Sequence, residues 1–146
     1  MEREISGQEL LKLPVRQGGL ELARPVDLVL AAEGDRVVGL EVQCTDGARR
    51  FLPLRAARIR VDEIAIGSAL LLFEERDLGF YRSRGHTLRA RRGLPVVRGD
   101  RRLGELQDIV LAPEGRISSL VVDGVAGPER LLLDGTVRVL DRGKAA

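Results

Sequence analysis

The sequence predicts an all-β fold built from one unit used twice, and three observations carry that expectation. Residues 103–115 read LGELQDIVLAPEG and residues 22–34 read LARPVDLVLAAEG, a match held at a fixed offset of 81. Self-similarity at a constant offset is the signature of a repeated structural unit. In both copies, short apolar runs are punctuated by turn residues, the pattern of hairpins. Aromatic residues make up only 3% of the chain, with no Trp, against 44% hydrophobic residues overall. The core therefore rests on Leu, Val and Ile, many of them β-branched, which suits strands better than helices.

The elements follow in order. Leu13-Pro14-Val15 aligns with Leu94-Pro95-Val96 as a short strand, followed by a polar turn at Gly18 or Gly99. A run ending in DLVLA or DIVLA forms the next strand, and a turn at AEG or PEG brings in Gly34 or Gly115. Asp35 reads as one inserted turn residue, after which Arg36, Leu40 and Val42 line up with Arg116, Leu120 and Val122 in RVVGLEVQC and RISSLVVD. ARRFLPL (48–54) and ERLLL (129–133) add a further strand to each unit after the turns TDG and GVAGP. The first unit continues through RIRVDEIAIGSALLLF, enough for two more short strands, whereas the second has only TVRVL. The second unit is thus short of a closing strand, and its edge is expected to be covered by the first unit, the connector or a second chain. This gives a first unit at 1–75, an arginine-rich connector at 76–90, and a second unit at 91–146 completed by strand exchange.

Charge is informative in its distribution. Charged residues make up 32% of the chain and the net charge is +2. Between Arg76 and Arg102, nine arginines face only two acids, Asp77 and Asp100, so the remainder of the chain is net acidic. The single cysteine, Cys44, lies in an apolar run and is expected to be a buried, inert thiol. The opening residues lack the pattern of a secretory leader, and the longest apolar stretch, IAIGSALLLF, is too short to span a bilayer as a helix. A cytoplasmic protein without membrane insertion is the expectation.

Three stretches, ISGQELLKLPV, GLPVVRGDRRLGELQDIVLAPEGRISSLVV, and FLPL leading to RIRVDEIAIG, resemble the PRC-barrel domain family. These small β-barrels form the cytoplasmic part of the photosynthetic reaction centre H subunit and the C-terminal domain of the ribosome maturation factor RimM, and also occur as stand-alone bacterial proteins. The resemblance spans about 7–73 and 86–140, and the second copy is the better match because Gly104 stands where the first has Ala23. It implies two tandem PRC-like small β-barrels, and it speaks to architecture far more than to activity.

Candidate chemistry is sparse. Asp27 and Asp108 are matched across the repeat, but as equivalent positions of two units they read as strand-end carboxylates that bond backbone groups. Gly34, Gly104 and Gly115 read as structural turn formers. His86 is the only histidine and reads as an exposed linker residue, with no ligand spacing around it for a metal. The serines lack a nucleophile-elbow context and GDRRLGELQD lacks the ending of a phosphate loop. No catalytic residues, metal or cofactor are expected, and an enzyme is not. The connector RDLGFYRSRGHTLRARRG stands out, because Arg82, Arg84, Arg89, Arg91 and Arg92 interleave with Phe80 and Tyr81, a mixture that can grip phosphates and stack on bases. Against this, strand alternation in HTLRARRG would turn Leu88 and Ala90 inward and leave the arginines solvated. The reading that results is a non-catalytic adaptor docking a protein partner, with RNA or ribosome association through the basic stretch 76–102 as the alternative and a homodimer as one way to close the second unit.

Overall fold

Thirteen strands in two sheets and three short α-helices account for most of residues 3–141, the part of the chain described by this computed structural model. The fold is all-β. β1 (Ile5–Ser6) and α1 (Gly7–Leu11) open the chain. The first sheet holds β2 (Val15–Gln17), β3 (Leu20–Leu30), β4 (Val37–Cys44), β5 (Arg49–Pro53), β6 (Ala57–Ile59) and β7 (Ile64–Ile66) in the order β5-β4-β3-β2-β7-β6. α2 (Glu75–Arg84), β8 (His86–Thr87) and α3 (Leu88–Arg91) lead to the second half. There β9 (Pro95–Arg98), β10 (Arg101–Leu111), β11 (Ile117–Gly124), β12 (Gly127–Leu132) and β13 (Val137–Val139) are ordered β12-β11-β10-β9-β13.

The sequence repeat is a repeat of register. Leu40 pairs with Leu52 as Leu120 pairs with Leu131, and Asp27 pairs with Glu41 as Asp108 pairs with Val121. The long strands β3 and β10 carry bulges at matching places, Pro25/Asp27 with Val29/Leu30 and Leu106/Asp108 with Val110/Leu111. A bulge bends its strand and increases its twist, so each long strand is used in two parts. Its first part pairs with its own LPV strand, β2 or β9. Its last residues pair with the opening strand of the other half: Ile5 and Ser6 of β1 face Leu111 and Val110, while His86 and Thr87 of β8 face Leu30 and Val29. The two halves have exchanged their first strands. β13 then lies antiparallel on β9, on the side where the first half places β7 parallel to β2.

The matched aspartates sit at the bulges and hold this exchange together. Asp27 Oδ1 accepts from the backbone N–H groups of Leu28 (2.8 Å) and Arg89 (3.0 Å). Asp108 accepts from Ile109 N–H at Oδ1 (2.8 Å) and Gln8 N–H at Oδ2 (3.2 Å). Each buried carboxylate thus satisfies an otherwise unpaired donor in the first turn of the other half's short helix. The connector departs from its expected alternation at the same place. Thr87 accepts from Ala90 N–H at 3.2 Å and caps a helical turn, so Leu88 is buried while Ala90 is exposed.

One apolar cluster spans both halves, joining Leu10, Leu28, Leu40 and Leu52 to Leu88, Ile109, Leu111 and Leu120. Where the halves meet on their local two-fold, Arg36 bridges Arg116, with Val37 N–H donating to Gly115 O (2.7 Å) and Ile117 N–H to Asp35 O (2.9 Å). Gly34 and Gly115, the matched turn glycines, have φ of 74° and 104°, a region that side chains rarely enter. Gly104 (φ 149°) lies beside the Asp123 carbonyl oxygen, which leaves no room for a Cβ there.

Candidate functional site

The first part of the arginine-rich stretch, α2, is a helix docked on the first sheet. Leu78 of α2 is fully buried against Val29 and Phe51. The Tyr81 ring stacks on Phe51 with centroids 4.2 Å apart and planes 12° apart. Phe80 lies edge-on to Tyr81, is 50% exposed, and carries the Arg84 guanidinium 4.3 Å above its ring centroid. Arg82 Nη1 donates to Glu41 Oε1 at 2.9 Å, and Arg49 Nη1 donates to Glu41 Oε2 at 2.6 Å. Glu41 is buried in β4, where a carboxylate requires paired, hydrogen-bonded charge. Arg89 has an exposed side chain, and Arg92 Nε donates to Gln107 O at 3.1 Å on the second sheet. The five arginines therefore reach different parts of the molecule. His86, expected to be exposed, is half-buried, with Nε2 3.1 Å from Ala32 O and Nδ1 3.9 Å from Asp141 Oδ1. Cys44 is buried, and burial pushes its thiol above the ordinary value.

The sheet edges of the two halves differ. Phe51 of β5 exchanges two backbone hydrogen bonds with Phe73, at 2.9 and 2.8 Å, so that edge is occupied by the chain segment entering α2. The counterpart of Phe51 is Arg130, which faces Val121 as Phe51 faces Glu41. In an antiparallel pair the backbone groups of successive residues alternate between the neighbour and the outside. Leu133 N–H donates inward to Ser118 O, so the N–H and C=O groups of Arg130 and Leu132 point outward from β12. Among the described residues no strand pairs with that edge, and Leu132 is 69% exposed. The adjoining face is polar: Arg130 Nε donates to Ser119 Oγ (2.9 Å) and its Nη2 to Glu4 Oε1 (2.6 Å). Hydrogen bonds from Ser118 and Arg130 hold the Glu4 carboxyl below its ordinary value.

A concavity of about 430 Å³ lies at the junction of the halves, lined by Glu33, Gly34 and Asp35 from the first and by Arg116, Ile117 and Val137 from the second. Arg91 forms part of its wall. Its Nη2 donates to Asp141 Oδ1 at 2.9 Å, and its buried Nε has no hydrogen-bond partner among the described residues. Such a donor costs roughly 1–3 kcal/mol. Neither Glu41 nor the burial of Arg91 emerges from the sequence reading. A glutamate inside the apolar run VGLEVQC is the available signal for the first, and the repeat offset carried back to Leu10 is the signal for the second.

Among the described residues no three His, Cys, Asp or Glu side chains come together as metal ligands, and no helix is long and apolar enough to cross a membrane. Comparison of the chain with protein-family models and with curated proteins found no match.

Proposed function

We propose that the chain is a non-catalytic docking module with two PRC-barrel-like halves, and that it engages a protein partner through the outer edge of β12. The backbone of Arg130 and Leu132, which has no strand partner among the described residues, supports this reading, because in the other half the equivalent edge is taken by Phe73. A strand edge of this kind accepts an extended segment through main-chain hydrogen bonds. The RNA alternative draws on the basic stretch, but of its five candidate arginines Arg82 and Arg91 are engaged in ion pairs, which leaves Arg84, Arg89 and Arg92 as the exposed ones that pair with no carboxylate among the described residues.

Capture from the native host, with and without nuclease, tests the proposal. Leu132→Pro removes an outward N–H without touching an internal hydrogen bond, so the fold is expected to survive. It is expected to lower capture of the protein partner at least tenfold, whereas replacing Arg84, Arg89 and Arg92 with Ala leaves capture unchanged. Loss of the partner on nuclease treatment would instead favour the RNA reading. So would RNA binding whose salt slope flattens by about two units in the triple arginine variant. A monomer–dimer equilibrium abolished by Leu132→Pro would identify the edge partner as a second copy of the chain.

A further inference from the structure

We propose that the concavity at the junction of the two halves binds a small monocarboxylate with an apolar body. The repeat supplies an internal control for this site. Arg91 of α3 corresponds to Leu10 of α1 at the offset of 81, and Leu10 is fully buried in the common core. The second half thus places a guanidinium where the first places a hydrocarbon side chain, and keeps it only 8% exposed. Burying such a charge is unfavourable unless partners compensate it. Asp141 engages Nη2, while Nε has no partner among the described residues. Gly34 lies directly against this guanidinium, since a Cβ there would stand 2.7 Å from Nη1.

The shape and lining of the concavity select the ligand class. Its volume of about 430 Å³ falls within the range of small-molecule sites, about 300–1,000 Å³. Ile117, Leu133 and Val137 give it an apolar floor, and Arg91, Arg116 and Arg138 supply cations. Glu33 and Asp35 also line it, which disfavours a phosphate dianion and leaves a single negative charge as the better match. A hydrocarbon body covers the floor while the carboxylate faces the guanidinium groups. A concavity of the first half, lined by Val37, Leu54 and Tyr81, holds only the exposed arginines Arg36 and Arg55, and the counterpart of Arg91, Leu10, is not in its wall.

Titration calorimetry of the full chain with octanoate, and separately with inorganic phosphate, tests the site. Octanoate is expected to bind at one site and phosphate to give no measurable heat. Arg91→Leu, which restores the residue found in the other repeat, is expected to weaken octanoate at least tenfold while keeping the fold. Absence of octanoate binding to the wild-type chain would overturn the proposal. So would equal binding by Arg91→Leu, or phosphate binding as tight as octanoate. Should Arg91→Leu fail to fold, Arg138→Gln carries the test at an exposed position, with several-fold weaker octanoate expected and unchanged affinity overturning the assignment.

Discussion

Neither half of this chain is expected to fold when expressed alone. Residues 3–84 lack β8, so Val29 and Leu30 keep β4 but lose the strand on their other side, Asp27 loses the Arg89 N–H, and the core loses Leu88. Residues 85–141 lack β1 and α1, so Val110 and Leu111 lose Ile5 and Ser6, and Asp108 loses the Gln8 N–H. A fragment of this size buries only about 60% of the surface its unfolded chain exposes, which is marginal even for an intact domain. The part of the core it would bury is shared with the missing half. Each fragment alone should therefore give an amide spectrum without dispersion, and mixing the two should restore the spectrum of the intact chain. A well-dispersed spectrum from either fragment alone would show that the exchanged strands are dispensable.

Gly7→Leu is expected to destabilise the chain by about 3 kcal/mol, the upper part of the usual range for overpacking. A Cβ at Gly7 would stand 2.5 Å from Asp108 Oδ1, 2.9 Å from Leu88 Cδ2 and 3.2 Å from Leu28 Cδ1. The cause lies in the repeat: Gly7 and Leu88 are counterparts that meet across the junction, and the space between them takes one leucine, not two. The clash also displaces the carboxylate that accepts from Gln8 N–H. Urea unfolding measures the loss, and a double-mutant cycle locates it. Gly7→Leu combined with Leu88→Gly should be at least about 1 kcal/mol more stable than the sum of the single changes, because neighbouring residues couple by about 0.5–3 kcal/mol. Strict additivity would mean that the two positions do not share that space.

Several elements are legible in the sequence because their signals are local. DLVLA and DIVLA with their turn glycines mark the long strands, and Asp27 and Asp108 recur because each bulge needs a side-chain acceptor for backbone donors. The missing closing strand of the second unit points to an exchange, but which strands are traded has no such signal. β1 and β8 are two residues long, and pairing Ile5 with Leu111 leaves no trace in the residues around either. α2 is hidden for another reason: ERDLGFYRSR shows no continuous apolar stripe, and its helix is held by Leu78 and Tyr81 on a sheet far away in sequence. The arginines look alike in the sequence, yet their environments differ, Arg82 meeting a buried carboxylate and Arg91 a core position. Those differences are set by β4 and α3 and not by the local run of letters.

Two bodies that trade their first strands would, as separate chains, form a dimer whose stability rises with protein concentration. Here α2 joins the end of the first body to the exchanged strand of the second, so the partner is present at an effective concentration set by the link and not by the cell. The thermal midpoint should therefore stay constant across a hundredfold dilution. The exchange that in other settings invites runaway polymerisation is closed within one molecule.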